Sequence, residues 1–363
     1  MTVPGARVPL VIAGAVGVGK TAFASRFAHE LADDFPDGQL FADLGGAGTG
    51  VDRSYEVMTG FLAALGVAAD RIPPDRNHRT GLYRSVLAQR RVIVVLDNVG
   101  GESQVRPLLA RSTRSQILVT SRARLLGLDG VRRITMDVFA RNASMDLIGA
   151  MIGADRLHAD PEAGFKLAAV CEDLPLAISL AGRKIAAQPA RPLSCIVAPL
   201  VGGRNSLRWL QVGDTSLADA FASAFRSLSA LSLEVLHRLG RGGGKESSAG
   251  DVARSLRITV DAAELVLERL VDHGLVRRAP TTDRYAISTL VEQFSLQRTE
   301  ELHRHVPSTS ARRSEGDRED EFAMRRPASR MVARPRRVPS GLDEPVATTS
   351  VLEDPVIWIR RTA

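Results

Sequence analysis

The fold of this chain is decided by the stretch Val11-Ile12-Ala13-Gly14-Ala15-Val16-Gly17-Val18-Gly19-Lys20-Thr21, in which an apolar run leads into a loop of the form G-x-x-x-x-G-K-T. A helical pattern follows from Ala22 to Leu31, and Phe23 and Phe27 are spaced for one face of it. A strand, a glycine-rich loop and a helix in this order form the context in which such a loop binds phosphate. The stretch therefore predicts a nucleoside triphosphate site, although it does not say what the binding is for.

Each residue type in the loop has a chemical role. Glycines let the backbone wrap tightly enough to aim its N–H groups at phosphate oxygens, and the helix that follows adds the positive end of its dipole. Lys20 can reach the β- and γ-phosphates, and the Thr21 hydroxyl can bind Mg²⁺. We therefore expect ATP or ADP, with Mg²⁺, to contact the loop residues Gly14, Gly17, Val18, Gly19, Lys20, Thr21 and Ala22.

A second apolar run, residues 90–99, has five consecutive apolar residues followed by Asp97 and Asn98. Such a strand is typical of a parallel sheet that is buried on both faces. Asp97 lies at the carboxyl end, where open α/β sheets place their ligands, so we expect it to hold the Mg²⁺ together with Thr21. Asn98 follows it as an amide, which can orient water but cannot accept its proton. This predicts slow ATP hydrolysis.

A third strand is predicted from Gln116 to its polar end at Arg122. An arginine at this rim could sense a γ-phosphate or stabilise transferred charge, whereas an ordinary exposed arginine is the plainer alternative. Asp97, Asn98 and Arg122 are the candidate catalytic residues. Further strands are predicted at 39–44 and 133–136, with helices at 55–65, 79–89 and 105–109. Strands that alternate with helices predict an α/β fold, a doubly wound parallel sheet of the P-loop NTPase type over residues 1–150.

The composition narrows the class of protein. The chain has 363 residues, 44% of them hydrophobic, which suffices for two or three domains. The net charge of +7 is spread along the chain, so nucleic-acid binding is possible but not favoured. Cys171 and Cys195 provide neither a disulfide framework nor a metal-binding spacing, and their apolar surroundings predict two buried thiols. We expect a cytoplasmic protein without a membrane span.

Two further domains and a tail are predicted beyond residue 150. Residues 151–215 are expected to form a small helical subdomain, and 216–305 a winged-helix domain of helices followed by a strand hairpin with its tip at 281–283. The second helix of that unit, 260–272, is strongly acidic and would repel phosphates, which favours a regulatory role over DNA reading. The tail, 306–363, mixes Arg, Pro, Ser and acidic residues without a hydrophobic period, which predicts disorder.

Six motifs follow one another in a recognisable order: AGAVGVGKTAFASRFA, FPDGQLFADLGG, RVIVVLDNV, QVRPLL, ILVTSRARLLGLDG and CEDLPLAISLAGRKIA. In this order they resemble the NB-ARC nucleotide-binding domains of STAND-class signalling ATPases, and in particular bacterial regulators of the antibiotic-regulatory (SARP) type. The resemblance implies a switch that binds ATP and ADP between the nucleotide-binding, helical and winged-helix domains. It also implies a protein partner or self-association on activation.

The same resemblance assigns two more residues. Pro175, in Asp173-Leu174-Pro175, matches the proline that packs near the adenine in this family, although Asp173 replaces a glycine before it. Ser288 stands where the family has the histidine that contacts the β-phosphate of ADP. A serine can donate a hydrogen bond but lacks the reach of imidazole. The resemblance therefore implies a weakened grip on ADP.

Three hypotheses for the function follow. The first is a nucleotide-operated molecular switch in bacterial signalling or transcriptional control. The second is a P-loop ATPase enzyme with an unidentified substrate, and the third is a sequence-specific DNA-binding regulator that acts through its winged helix. The absence of a visible acceptor site or strong catalytic base favours the first over the second.

Overall fold

The computed structural model describes residues 7–46, 50–202, 206–226, 228–242, 246–279, 282–305 and 358–360. Apart from the end of the last helix, they belong to the larger of two compact units, Met1–Glu301 with Pro355–Ala363. The other unit, Leu302–Asp354, contributes only residues 302–305 to the described part of the chain.

The first part of the chain alternates strands with helices, as the sequence predicts. Its elements are β1 (Leu10–Gly14), α1 (Lys20–Glu30), β2 (Gly38–Gly46), α2 (Asp52–Ala64), α3 (Arg76–Gln89), β3 (Val92–Val99), α4 (Glu102–Val105), β4 (Gln116–Ser121) and β5 (Arg132–Met136). Five strands run parallel in the order β2-β3-β4-β1-β5. The predicted parallel sheet with flanking helices is confirmed.

Helices cover both faces of the sheet. On one face, alternate residues of the strands, such as Val94 and Leu96, pack against α2 and α3. On the other face, Ile93 and Val95 pack against α1 through its small residues Ala24 and Ala28. Strand residues that point alternately to two apolar layers are completely buried. This burial explains why β3 is an unbroken apolar run until it reaches the functional edge of the sheet.

Two local predictions need correction. The helix predicted at 105–109 begins three residues earlier, as α4, and tightens into a 3-10 turn at Arg106–Leu108. The proline in that turn cannot donate a backbone hydrogen bond, which disfavours a longer α-helix. In α1, the side turned to the sheet carries small alanines, while Phe23 and Phe27 stack on each other with ring centroids 5.9 Å apart. Small residues there allow the helix to approach the sheet closely.

The second part of the chain is mainly helical. Its elements are α5 (Arg141–Ile152), α6 (Ala154–Ala159), α7 (Pro161–Val170), α8 (Pro175–Ala186), α9 (Leu193–Val197), α10 (Ser206–Trp209), β6 (Gln211–Val212), β7 (Thr215–Ser216), α11 (Leu217–Phe225), α12 (Ala230–Arg241), β8 (Ser247–Ser248), α13 (Ala249–Leu256), α14 (Val260–Asp272), β9 (Val276–Arg278), β10 (Arg284–Ile287) and α15 (Thr289–His305). The three short strands β8, β10 and β9 form an antiparallel sheet beside α12, α13 and α14.

One hydrophobic core runs through this second part. It extends from α5 and α8 to Leu236 in α12 and Phe294 in α15, and it includes Val16 and Val18 of the glycine-rich loop. The loop is therefore packed into the core of the helical elements as well as being attached to the parallel sheet. Any change in the position of these helices must disturb the loop, because close-packed interiors transmit small shifts.

The tail and the cysteines differ from the predictions in part. Residues 358–360 form a strand, β11, which pairs antiparallel with the outer edge of β2, whereas the whole of 306–363 was expected to be disordered. The rest of that tail lies outside the described residues. Cys171 is buried, and burial raises the pKa of its thiol to about 12. Cys195 is exposed at the surface of α9, so the prediction that it is buried is wrong.

Candidate functional site

The glycine-rich loop connects β1 to α1 and holds Lys20 at the first position of the helix. The Lys20 ammonium group donates hydrogen bonds to the carbonyl oxygens of Gly14, at 2.9 Å, and Ala15, at 2.7 Å. The loop thus curls around its own lysine. Gly19 precedes the helix with φ of 92°, a left-handed conformation in which glycine avoids the cost that a side chain would bring. Val18 is buried beneath the loop, and Ala22 lies exposed on the first turn of α1.

Burial makes the charge of Lys20 depend on pH in the range just above neutrality. Removal from solvent, together with the nearby guanidinium of Arg122, lowers the pKa of this lysine to about 8, although Asp97 acts in the opposite direction. A lysine with this pKa is charged at neutral pH but close to losing its proton. An added anion beside it would relieve the repulsion from Arg122 and favour the charged form. The electrostatic surroundings of Lys20 therefore favour the binding of an anion.

Asp97, at the carboxyl end of β3, is buried and surrounded by hydroxyl groups. Its carboxylate accepts hydrogen bonds from Thr21 Oγ1, at 2.9 and 3.1 Å, and from Thr120 Oγ1 at the end of β4. Burial raises the pKa of Asp97, against the two hydroxyl donors, and the neighbouring Asp43 raises it as well. A bound cation would stabilise the charged form of this buried carboxylate beside the threonine hydroxyl. The donor set of these oxygens suits Mg²⁺.

Asp43, which the sequence reasoning missed, lies directly beside Asp97. The two residues are register partners on the neighbouring parallel strands β2 and β3. Asp43 Oδ1 accepts hydrogen bonds from the backbone N–H of Gly45, at 2.7 Å, and from Asn98 Nδ2, at 3.2 Å. The signal was present in the sequence, because Asp43 ends an apolar strand just as Asp97 does.

Asn98 takes an unusual backbone conformation at the end of β3. Its φ is 54°, which asparagine tolerates better than most residues, and its N–H donates to Thr120 Oγ1 at 3.0 Å. The left-handed turn places the amide side chain next to Asp43. Thr120 thus braces both Asp97 and Asn98, a role that the sequence reasoning did not assign.

Arg122 follows β4 and extends away from the sheet. Its guanidinium donates a hydrogen bond to the Ser223 hydroxyl of α11 at 2.9 Å, and burial lowers the pKa of this arginine. The sequence places Arg122 at the rim of the sheet, but its partner lies about a hundred residues further along the chain. Arg122 therefore joins the nucleotide-binding loop region to the helical elements.

Pro175 begins α8, and the neighbours of this proline contact the glycine-rich loop. The N–H of Leu176 donates to the carbonyl oxygen of Gly17 at 3.0 Å. Gly17 has a φ of +82°, and a Cβ built on it would lie 3.1 Å from the Leu174 side chain. Pro175 itself is buried at the first position of the helix, where a missing N–H costs nothing. A side chain at Gly17 would therefore need a left-handed backbone and a small shift of the Leu174 side chain.

The turn before Pro175 forms without the glycine that the resemblance led us to expect. Both Glu172 and Asp173 have left-handed backbones, with φ of 53° and 55°. Asp173 is held there by Arg141, whose guanidinium donates to its Oδ2 at 2.7 Å, and by the N–H of Phe139, which donates to its carbonyl oxygen at 3.0 Å. These tertiary contacts offset a conformation that costs about 1–2 kcal/mol for a residue with a side chain.

The turn between α14 and β9 packs against the same loop from another direction. Gly274 has a φ of +67°, and a Cβ placed on it would lie 2.5 Å from the Cα of Ala15. The preceding His273 is half-buried beside Arg122, and both its burial and that guanidinium lower the pKa of its imidazole. The resemblance implied that the winged-helix region lies near the loop, but the sequence did not identify Gly274 and Ala15 as the residues in contact.

Ser288 lines the same cleft, and its hydroxyl oxygen already accepts a hydrogen bond from the protein. Its Oγ accepts a hydrogen bond from the N–H of Val291 at 3.2 Å, which caps the first turn of α15. The cleft is a cavity of about 700 Å³ between the loop and the α14–β9 turn, and it also borders Gly14, Leu174 and Arg122. The structure therefore brings Ser288 to the expected side of the loop while giving its hydroxyl a structural task.

A smaller neighbouring cavity gathers the polar candidates. It has a volume of about 290 Å³ and is lined by Gly17, Lys20, Thr21, Asp43, Asp97, Asn98, Thr120, Arg122 and Ser223. Within the described residues there is no cluster of three or more His, Cys, Asp or Glu side chains that could hold a metal ion. A metal here would rest on one carboxylate, one hydroxyl and the phosphates of a nucleotide, the arrangement that Mg²⁺ favours. No helix within the described residues is long and apolar enough to span a membrane.

Comparisons with known proteins agree with this geometry. Residues 5–154 match the NB-ARC domain family. Over 284 residues, 78% of this chain, the sequence is 37% identical to regulatory protein AfsR of Streptomyces griseus, and this covers 29% of that protein. It is 34% identical over 330 residues to regulatory protein AfsR of Streptomyces coelicolor, with 88% of this chain and 33% of that protein covered. The chain thus spans about a third of the length of these curated relatives.

A solved structure of a STAND-class signal transduction ATPase with a tetratricopeptide repeat sensor, from Pyrococcus horikoshii, covers 83% of this chain and 44% of its own, with 16% sequence identity and a TM-score of 0.38. The NB-ARC match implies nucleotide binding. Residues 5–154 of this chain therefore belong to the NB-ARC domain family, in a chain that is similar to the AfsR regulators.

Proposed function

We propose that this chain is a nucleotide-operated switch that binds ATP or ADP with Mg²⁺ at the glycine-rich loop. The observation that carries the proposal is the convergence of two separate segments, the start of α8 and the α14–β9 turn, on that loop. Leu174 and Leu176 contact Gly17, and Gly274 lies against Ala15. A ligand bound by the loop has to fit between these segments. Exchange of that ligand would then shift the balance between closed and open arrangements.

The chain's own residues account for the binding. Lys20 would move its hydrogen bonds from two loop carbonyls to phosphate oxygens, which restores full charge to its ammonium group. Thr21 and Asp97 would hold the Mg²⁺, whose charge would neutralise the β- and γ-phosphates. Arg122 would contact the γ-phosphate in exchange for the Ser223 hydroxyl. Loss of the γ-phosphate would leave Arg122 free to return to α11, which couples the nucleotide to the helical elements.

We assign the unit of α12–α14 with the sheet β8-β10-β9 to a winged helix with a regulatory task inside the molecule. Its helix α14 carries Asp261, Glu264, Glu268 and Asp272 against the single cation Arg269, and such a surface repels nucleic acid. Glu268 is engaged with the sheet, because it accepts a hydrogen bond from the Tyr285 hydroxyl at 2.8 Å. The unit is thus suited to close on the loop rather than to read a DNA groove.

The resemblance to the AfsR regulators supports a place in bacterial signalling or transcriptional control, in the cytoplasm, through a protein partner or self-association. A DNA-binding regulator is the second candidate, because Arg277, Arg278 and Arg284 give the hairpin of β9 and β10 a basic edge. A gel shift whose strength falls steeply with salt would favour that candidate. A steady-state ATPase rate near the enzyme median of about 10 s⁻¹ would favour a dedicated ATPase.

The test of the switch is nucleotide analysis of the purified protein followed by limited proteolysis. We expect ATP and ADP to bind, hydrolysis to be slow, and the α14–β9 turn to be cut at different rates in the two nucleotide states. A protein that binds neither nucleotide would refute the proposal. Equal cleavage in both states would show that nucleotide binding is not coupled to this turn.

A further inference from the structure

The cavity beside Lys20 contains a second carboxylate that neither metal binding nor the switch uses. Asp97 is committed to the hydroxyls of Thr21 and Thr120. Asp43 is held one strand away, half-buried, by the N–H of Gly45 and by Asn98 Nδ2. Two neighbouring carboxylates in different surroundings are a recurrent basis for a division of labour in active sites.

We propose that Asp43 is the general base for ATP hydrolysis at this site, held in position by Asn98. The assignment rests on the proposed function, because it needs ATP at the loop. It also resolves the difficulty that the position after Asp97 is an amide. Asn98 cannot accept a proton from water, but it donates a hydrogen bond to a carboxylate that can.

Three observations about the position of Asp43 support this assignment. Register pairing of Asp43 with Asp97 puts both carboxylates at the same edge of the sheet, where ligands bind. The left-handed backbone of Asn98 turns its side chain toward Asp43, and Thr120 stabilises that turn. Asp43 lines the same cavity as Lys20 and Thr21, so its carboxylate faces the space in which we propose that the phosphates and the attacking water bind.

The step balances as an in-line displacement. The water oxygen forms a bond to the γ-phosphorus while the bond from that phosphorus to the bridging oxygen of ADP breaks, and the electron pair of that bond leaves with ADP. Asp43 accepts the proton that the attacking water loses. The proton passes to solvent when phosphate leaves, which restores the carboxylate.

The deciding variant is Asp43→Asn. It keeps an acceptor oxygen for both existing hydrogen bonds, and it removes the negative charge together with the capacity to take a proton. We expect single-turnover hydrolysis to fall at least 100-fold, the usual contribution of a positioned base, while ATP affinity changes less than threefold. Asp70→Asn is the matched control, because Asp70 is an exposed acid in the 3-10 turn at Ala69–Arg71, and its hydrolysis rate should equal that of the wild type.

A double variant, Asp43→Asn with Asn98→Asp, moves the carboxylate to the other member of the hydrogen-bonded pair. We expect it to regain at least tenfold over Asp43→Asn alone, because the pair is preserved and a proton acceptor is again present. Binding is measured with and without Mg²⁺ in every variant. This arm separates a base from a metal ligand, since loss of a ligand weakens binding only when the metal is there.

Three outcomes overturn the assignment. A hydrolysis rate in Asp43→Asn that equals or exceeds that of the wild type shows that Asp43 accepts no proton. Loss of ATP affinity confined to Mg²⁺-containing buffer identifies Asp43 as a metal ligand instead. Failure of the wild type to bind ATP refutes the proposed function itself, and this result is distinct because the binding assay reads it before any hydrolysis is measured.

Discussion

The two sides of the glycine-rich loop are built from different kinds of contact. On the sheet side, polar groups meet one another: Thr21 and Thr120 donate to Asp97, and Asn98 donates to Asp43. On the helical side, backbone and apolar atoms fit closely against each other, as Gly17 does against Leu174 and Gly274 against Ala15. The first side has the chemistry to hold phosphate and metal. The close contacts of the second side would change if a bound ligand displaced the loop.

The difference has an energetic consequence. Hydrogen-bonded polar groups can exchange one partner for another, such as a ligand, at a small net free-energy cost. Close steric contacts change sharply over a few tenths of an ångström, because the interior is densely packed. We therefore expect substitutions on the helical side to alter the arrangement of the molecule, and substitutions on the sheet side to alter ligand affinity. Four predictions address this contrast, beginning with the largest effect.

Gly274→Ala should disrupt the helical side most. The alanine would have to keep the left-handed backbone of Gly274, which costs about 1–2 kcal/mol. Its Cβ would also overlap the Cα of Ala15, which costs about 1–3 kcal/mol more. Gly213→Ala is the matched control, because Gly213 has a φ of +55° with no atom within 4 Å of the added Cβ. Denaturant unfolding and protease mapping of the α14–β9 turn measure the difference. Equal effects of the two substitutions would show that the close contact with Ala15 does not contribute to the loss of stability.

Lys20→Ala should weaken nucleotide binding on the sheet side while leaving the fold intact. Loss of the loop's cation is expected to weaken ATP and ADP binding at least tenfold, about 1.4 kcal/mol, as measured by calorimetry. Lys166→Ala serves as the control, because Lys166 is an exposed lysine on α7 that pairs with Glu162 at 2.6 Å. ATP affinity equal to that of the wild type in Lys20→Ala would contradict the assignment of the loop.

Nucleotide affinity should fall as the pH rises above 8. The pKa of Lys20 is lowered to about 8 in the free protein, so below that pH its ammonium group is already charged, and above it binding must take up a proton. Affinity should be flat from pH 7 to 8 and then decline, by up to about tenfold, or 1.4 kcal/mol, for each further pH unit. Lys20→Arg stays charged throughout and should show no decline. The same slope in that variant would place the titration elsewhere.

Ser288→Ala should have the smallest effect on the nucleotide. Because its hydroxyl caps α15, we expect a loss of about 1 kcal/mol in the free energy of unfolding and a change in ADP affinity below twofold. Thr259→Ala removes a comparable cap from α14, where Thr259 Oγ1 accepts from the N–H of Ala262 at 3.2 Å. A selective tenfold loss of ADP affinity in Ser288→Ala would mean that the hydroxyl contacts the nucleotide after all.

The sequence by itself determined the sheet side of the site. An apolar strand that ends in a polar residue predicts both the parallel sheet and the edge where ligands bind, which is how Asp97 and Arg122 were found. Lys20 and Thr21 were found from the glycine-rich loop motif that follows the first strand. These signals are local, because each is carried by one strand and the residues that follow it. Asp43 obeys the same rule and could have been found in the same way.

Only the tertiary structure decided which groups meet. The pairing of Asn98 with Asp43 and that of Arg122 with Ser223 join residues 55 and 101 positions apart, and no spacing in a single sequence encodes them. The capping role of Ser288 also depends on where α15 begins. The approach of Gly274 to Ala15 required the whole helical core to be in place, because the position of that turn is set by the packing of α14 and not by its own residues.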